Sequence, residues 1–127
     1  MNQNKTLTEI RKELNVSRKA IQGYEKHGLI ESSQKDKYGR HIYDEKITER
    51  IIKIRFYQKL GFSVNEIKEL IDSDDDQNKK ALANKRNEII KKLNSLSRKE
   101  EIIEFLITGK VKTDIDYMLR VIIQEDL

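Results

Sequence analysis

The sequence contains no cysteine, proline or tryptophan. The absence of cysteine excludes disulfide bonds, thiolate metal sites and thiol redox switches. No apolar run reaches the roughly 20 residues that a membrane helix needs, and the segment Met1–Lys5 lacks the apolar stretch of a signal peptide. We therefore expect a soluble cytoplasmic protein with no membrane partner, no metal and no cofactor.

The positive charge is concentrated in the first part of the chain. From Met1 to Leu70 there are 15 Lys and Arg against 10 Asp and Glu, a balance of +5. From Ile71 to Leu127 the numbers are 11 and 12, a balance of −1. Such an arrangement is typical of a nucleic-acid-binding module joined to a second unit, and equally of a soluble protein with surface lysines.

Two short helices are predicted near the start. Thr6, with Glu9 three residues later, forms a capping box for a helix that ends near Leu14. Ser17 is placed to cap a second helix, and Gly28 is placed to close it in the left-handed conformation. Two helices joined by so short a turn form a helix-turn-helix pattern.

The segment that follows predicts a β-hairpin, or wing, and then two more helices. Leu29-Ile30 and His41-Ile42-Tyr43 are predicted as short strands around a turn at Tyr38-Gly39. Asp44 caps the third helix and Gly61 ends it, and Ser63 with Glu66 forms a capping box for the fourth. The apolar faces are Ile47, Ile51, Ile54 and Leu60 in the third helix, and Val64, Ile67, Leu70 and Ile71 in the fourth.

An acidic run from Asp72 to Asp76 separates this part from the rest. Its alternating acids are similar to a calcium loop, but such a loop needs glycine at its sixth position and glutamate at its twelfth. This chain has Gln77 and Ala83 there, which excludes the loop. We interpret the run as a break whose acids suit the positive N-terminus of the next helix.

From about Gln77 to Thr108 the absence of glycine predicts one long helix. Two sets of residues repeat every seven positions along this helix and form two seams. One seam is apolar and the other is half polar, which is typical of a coiled coil with a specified register. We expect a homodimer; the alternative is a long helix packed against its own domain. The expected dimerisation residues are Leu82, Ile89, Leu96 and Ile103 on the first seam, and Arg86, Leu93, Glu100 and Ile107 on the second.

A short tail follows Gly109. Its apolar residues are spaced for one face of a final amphipathic helix. We expect this helix to cover the end of the dimer helix or to pack on the partner subunit. The residues of that face are Ile115, Met118, Leu119, Ile122 and Ile123.

The first half resembles the MerR family of bacterial transcription regulators. The fragments that carry the resemblance, in the family's order and spacing, are Leu7–Ser17, Tyr24–Ile30, Gly39 with Tyr43, and Leu60–Leu70. The resemblance implies a mainly α fold, with a winged helix-turn-helix DNA-binding domain at 1–72. The family also places a long dimerisation helix after this domain, which agrees with the coiled-coil helix that the heptads predict at 73–108. The apolar spacing of the tail adds a short C-terminal amphipathic helix at 109–127.

The resemblance further implies a dimeric transcriptional regulator that recognises and distorts a two-fold symmetric promoter site on double-stranded DNA. Ser17–His27 would enter the major groove as the recognition helix, and the wing around Lys35–His41 would hold the backbone. RNA polymerase is a further candidate partner. Many members of the family respond to an effector that binds near the dimer helix or in a C-terminal domain. The sequence does not identify an effector for this chain. The absence of cysteine argues against thiolate-metal and iron–sulfur sensing.

The candidate DNA-contacting side chains lie at the start of the recognition helix and in the wing. Side chains at the helix start reach base edges or phosphates, whereas the wing cations are better matched to phosphates. The candidates are Arg18, Lys19, Gln22, Lys35, Lys37, Arg40 and His41. Tyr24, Tyr43 and Phe62 are expected in the core instead.

The chain departs from the family pattern at several of these positions. Gln22 and Gly23 stand where the family commonly has arginine and tyrosine, and Arg40 and His41 replace the usual wing tyrosine and arginine. Arg11 takes a place usually filled by a small residue. Two other functions are therefore alternatives: a DNA-bending architectural or excision factor, and a coiled-coil protein-interaction module that no longer reads sequence.

An enzyme is not expected. The two histidines, His27 and His41, fall at a helix end and in the wing. Neither has a nucleophile or an acid placed beside it by a recognisable motif, and the sequence has no glycine loop for binding phosphate.

Overall fold

The computed structural model describes residues 4–109 and 114–124. Residues 1–3, on which part of the signal-peptide expectation falls, lie outside the described residues, as do 110–113 and 125–127 of the expected C-terminal segment. The chain divides into two compact units, Met1–Lys79 and Lys80–Leu127.

The described residues form six helices and three short strands. In the first unit these begin with β1 (Lys5–Thr6), α1 (Leu7–Leu14), α2 (Arg18–Lys26), β2 (Gln34–Lys35) and β3 (His41–Tyr43), followed by α3 (Glu45–Lys59) and α4 (Val64–Leu70). The long helix α5 spans Asp75–Thr108, and α6 spans Ile115–Ile123.

The capping signals in the sequence correctly predicted where the helices start. The Glu9 N–H donates to Thr6 Oγ1 at 3.2 Å, and the Thr6 N–H donates to Glu9 Oε1 at 3.1 Å. The Ala20 N–H donates to Ser17 Oγ at 3.0 Å, and Ser63 forms the second capping box with Glu66. These bonds satisfy N–H groups that a helix start otherwise leaves without a partner.

The small sheet has β3 in the centre, paired antiparallel with β1 and β2. The prediction of a strand at His41–Tyr43 is confirmed, but the predicted strand at Leu29-Ile30 is wrong. Leu29 and Ile30 are buried in the core, and the Leu29 N–H donates to the Tyr24 carbonyl at 2.9 Å. This segment therefore completes the turn that follows α2, and Gln34–Lys35 pairs with β3 instead.

Aromatic residues contribute to the core of the first unit as expected, since Tyr24, Tyr43 and Phe62 are all buried. Leu60, expected on the apolar face of α3, is 42% exposed, so that prediction is wrong. Leu60 is the C-cap of α3, and Gly61 with φ 95° turns the chain so that Phe62 enters the core. The other buried apolar residues include Ile10, Val16, Ile21, Ile51, Ile54, Ile67 and Leu70.

The acidic run before α5 has two separate structural roles. Asp74 Oδ1 accepts the Gln77 N–H at 2.8 Å, and this cap lets α5 begin at Asp75, two residues before the predicted start. Asp72 accepts two hydrogen bonds from the Arg50 guanidinium, at 2.9 and 2.8 Å. The same guanidinium donates from Nε to the Leu29 carbonyl, so Arg50 joins α3 to the segments that follow α2 and α4.

In the second unit, α6 packs on α5 through a different face from the predicted apolar one. Arg98 Nε donates to Gln124 Oε1 at 3.1 Å, and a groove of about 410 Å³ lies between the two helices. The groove is lined by Arg98, Glu101, Ile102 and Phe105 of α5, and by Tyr117, Arg120, Val121 and Gln124. The helix itself is confirmed, but the residues of the predicted apolar face are exposed on the other side: Ile115, Met118, Leu119, Ile122 and Ile123.

The heptad seams of α5 are also exposed. At about 100° per residue, Arg98 and Phe105, which line the groove, lie on the opposite side of α5 from Leu96 and Ile103. The helix α6 therefore leaves the seam uncovered, and none of the residues of α5, all of which the structure describes, is buried.

Candidate nucleic-acid interface

The second helix, α2, has one buried face and one exposed cationic face. Ile21 and Tyr24 are 1% and 2% exposed. Arg18, Lys19 and Gln22 lie on other faces of the helix and are all exposed. The burial of two side chains thus determines which side chains of α2 are available to a ligand.

Polar contacts with α3 fix α2 and the turn before it. The Tyr24 hydroxyl donates to Gln58 Oε1 at 2.7 Å, and Arg55 Nη1 donates to the same oxygen at 3.3 Å. Arg55 Nη2 donates to the Asn15 carbonyl at 3.0 Å. Burial raises the pKa of the Tyr24 phenol, which therefore stays protonated and acts as the donor.

The wing turn is organised around Asp36. Asp36 Oδ1 accepts the N–H groups of Tyr38 and Arg40, each at 2.9 Å, and Asp36 Oδ2 accepts Arg40 Nε at 2.8 Å. Gly39 occupies the left-handed position, with φ 78°, and its N–H donates to the Asp36 carbonyl. Hydrogen bonds to the carboxylate hold the pKa of Asp36 below its ordinary value, although partial desolvation opposes them. The Arg40 backbone N–H has the largest effect, and the Arg40 guanidinium and the Tyr38 N–H have smaller ones.

Tyr38 is a candidate contact residue that sequence reasoning missed. Its ring is 71% exposed at the wing turn. The Lys37 ammonium lies 5.1 Å from the ring centroid and the Arg40 guanidinium 5.3 Å, both within cation–π range. The sequence signal for this role is an aromatic residue between two cations at a turn.

Three of the sequence-predicted residues come together at one surface. Arg18, Arg40 and His41 line an open depression of about 560 Å³, together with Thr6, Leu7, Thr8 and Glu9. His41 is half-buried, and its Nδ1 lies 2.6 Å from Ser33 Oγ. The depression therefore joins the start of α2, the start of α1 and the base of the wing.

The remaining candidates are separate from this depression. Lys19 and Gln22 lie elsewhere on the exposed surface of α2, and Lys35 and Lys37 are exposed on β2 and the wing turn. Gly23, in the interior of α2, leaves a gap, because a Cβ built there would meet no heavy atom within 4 Å. Core packing therefore does not require glycine at this position.

Over residues 4–109 and 114–124, no group of three or more His, Cys, Asp or Glu side chains is arranged to hold a metal ion. In the same part of the chain, no helix is both long and apolar enough to cross a membrane.

Two protein-family models match the sequence. One, described as MerR HTH family regulatory protein, covers residues 5–74, which is more than half of the chain. The chain belongs to the MerR family. The other model, described as MerR, DNA binding, covers residues 48–106.

A curated relative of this MerR-family chain is the mercuric resistance operon regulatory protein of Bacillus cereus. It is 32% identical over 63 residues, which are 50% of this chain and 48% of the relative. The match therefore spans about half the length of that relative.

Solved structures share the fold. The N-terminal part of MtaN, the multidrug transporter activator of Bacillus subtilis, is 24% identical with a TM-score of 0.65, over 85% of this chain and 99% of that one. A MerR-family regulator from Bacillus cereus is 18% identical with a TM-score of 0.70, over 91% and 90%. HiNmlR, a MerR-family regulator bound to promoter DNA, is 18% identical with a TM-score of 0.60, over 83% and 84%. The predicted fold class, a winged helix-turn-helix with a long helix after it, is confirmed.

The lowered pKa of Asp36 gives the wing turn a testable pH dependence. The contacts to its carboxylate are present above the ordinary aspartate pKa of about 3.9 and are lost as the pH falls through the lower folded value. We expect the amide NMR signals of Tyr38 and Arg40 to titrate with a midpoint below the ordinary aspartate value. Arg40→Ala should raise this midpoint only part of the way, because the backbone N–H remains.

Asp36→Asn is the control, because it should abolish that titration while leaving the other acids unchanged. A midpoint at or above the ordinary aspartate value would contradict the hydrogen-bonded turn.

Proposed function

We propose that this chain is a dimeric transcriptional regulator of the MerR type that recognises a two-fold symmetric promoter site. The observation that carries the proposal is that Arg18 of α2 and Arg40 of the wing border one open depression. Two guanidinium groups from different elements thereby offer a joint contact to a backbone or a base edge. HiNmlR, which shares the fold, is bound to promoter DNA in its structure, and this supports the same function.

In this proposal α2 enters the major groove and the wing lies along the adjacent backbone. Arg18, Lys19 and Gln22 contact base edges or phosphates, because they are exposed near the start of α2. The wing residues give affinity without reading sequence. They are Lys35, Lys37, Arg40 and His41, to which the structure adds the exposed ring of Tyr38.

The exposed seams of α5 support a homodimer. Leu93, Leu96 and Ile103 are each more than half exposed in the single chain. Burying such side chains against a second copy contributes on the order of 1.5–3 kcal/mol for each one fully buried. Arg86 and Glu100 lie symmetrically about Leu93, so an antiparallel pair brings opposite charges together.

We further propose that residues 1–72 bind DNA, 73–108 dimerise and 109–127 form a C-terminal accessory segment. The protein acts in the cytoplasm without catalysis, with RNA polymerase as its further partner. Any effector is one that binds without thiolate ligands, because the sequence has no cysteine.

A second candidate, a DNA-bending factor with little sequence preference, is favoured by two residues of α2. Gln22 carries no charge, and the gap at Gly23 leaves the helix without a contact side chain there. Bending of many unrelated duplexes by the wild-type protein, without a preferred site, would favour this candidate over the regulator.

The DNA contacts are tested with Arg18→Ala and Arg40→Ala on a duplex selected by the wild-type protein from a random library. Arg18→Ala should weaken binding by about 1–3 kcal/mol if this side chain reads a base. Arg40→Ala should weaken binding to all sequences about equally and lower the salt slope by about 1 for each protomer, or about 2 for the bound dimer. Sedimentation should show both variants still dimeric. Wild-type affinity in both would contradict the assignment.

The dimer seam is tested with Leu93→Glu, which puts a charge into the proposed apolar contact. We expect this variant to sediment as a monomer and to lose affinity for the two-fold symmetric duplex. Asn94→Glu is the matched control, since it adds the same charge at the next position, on an exposed face away from the seam. Dimerisation of Leu93→Glu over the same range of protein concentration as the wild-type protein would contradict the proposed seam.

A further inference from the structure

Two cations on α1 lie outside the set of contact residues assigned above. Thr8, Arg11, Lys12 and Asn15 are spaced i, i+3, i+4 and i+7, so they share one helix face, and all four are exposed. Ile10, on the opposite side of α1, is fully buried. The packing of α1 therefore presents Arg11 and Lys12 to solvent together.

These two cations border an open depression of about 560 Å³ that is separate from the one at the wing. Thr8, Asn15, Val16 and Ser17 complete its lining. Ser17 caps α2, so the depression lies where α1, the turn and the start of the recognition helix meet. No acidic side chain is among its lining residues.

The nearest acids of α1 are engaged elsewhere. Glu9 closes the capping box with Thr6, and the Glu13 carboxylate accepts Lys5 Nζ at 2.7 Å. Within the part of the chain that the structure describes, Arg11 and Lys12 have no hydrogen-bond or ion-pair partner from their side chains. Their two positive charges are therefore uncompensated at this surface.

The turn beside these cations is held in place from α3. Asn15 adopts the left-handed conformation, with φ 49°, and its carbonyl accepts Arg55 Nη2 at 3.0 Å. Val16, next to it, is buried. The backbone next to the two cations is thus fixed before any ligand arrives, which reduces the ordering cost of binding.

We propose that Arg11 and Lys12 form a phosphate clamp for the DNA backbone, in addition to the contacts of the recognition helix and the wing. This inference rests on the proposed DNA-binding function. In a helix-turn-helix on DNA, the first helix crosses the backbone while the second enters the groove. A depression beside the start of α2 then faces a phosphodiester, which is the ligand that two unpaired cations recognise.

The clamp gives affinity without sequence information. It supplies positive charge next to a recognition helix that has the neutral Gln22. Because each neutralised phosphate releases condensed counterions, the contact is visible in the salt dependence of binding rather than in sequence preference.

The test measures binding of the Arg11→Ala/Lys12→Ala double variant to a short mixed-sequence duplex over a range of salt concentrations. Loss of two phosphate contacts from each protomer, four from the bound dimer, should make the slope of log affinity against log salt shallower by about 3.6. The preference for a selected site over mixed sequence should not change. The charge-retaining variant Arg11→Lys/Lys12→Arg should restore most of the slope.

Lys91→Ala/Lys92→Ala is the matched control, since it removes two adjacent exposed cations from α5. It should keep the wild-type slope, and circular dichroism and sedimentation should show every variant folded and dimeric. A wild-type slope in the Arg11/Lys12 double variant overturns the clamp alone. Failure of the wild-type protein to bind any duplex overturns the proposed function with it.

Discussion

The orientation of α2 depends on the burial of Ile21 and Tyr24 against the rest of the first unit. Complete burial of an apolar side chain contributes on the order of 1.5–3 kcal/mol, whereas a net hydrogen bond contributes roughly 1 kcal/mol. Packing therefore provides most of the stabilisation, and the hydrogen bond from the Tyr24 hydroxyl to Gln58 fixes the orientation of α2 relative to α3. Because these contacts occupy one side of the helix, Arg18 and Gln22 remain on the exposed surface.

In the wing, an acidic residue orients a cation of the proposed DNA-binding surface. Asp36 reduces the net positive charge of the turn, yet its carboxylate binds both the backbone and the side chain of Arg40. An exposed ion pair of this kind contributes little to the free energy of unfolding. Its effect is to orient Arg40 beside Tyr38 before a ligand binds.

Features set by neighbouring residues were predictable from the sequence. The capping boxes at Thr6 and Ser63 depend on contacts three residues apart, so they fixed two helix starts correctly. The length of α5 followed from a long stretch without glycine. Of the candidate DNA contacts, Arg18 and Arg40 were identified from helix position and wing pattern, and the structure brings them to one depression.

Features set by distant residues were not predictable in the same way. Leu29 has the apolar character of a strand, but its place in the core prevents pairing with β3. Leu60 continues the apolar pattern of α3, but the turn at Gly61 sends Phe62 into the core instead. The packing face of α6 is another example, because Tyr117 and Val121 face the groove beside α5 while Ile122 remains exposed.

The claim that this chain reads promoter DNA is tested most directly by binding of the purified wild-type protein to the DNA upstream of its own gene. A scrambled duplex of the same length and composition is the reference, and both are titrated with salt. Tighter binding to the upstream DNA, with a steep fall in affinity as salt rises, is the predicted result. Equal and weak binding to both duplexes would contradict a sequence-reading regulator of that promoter.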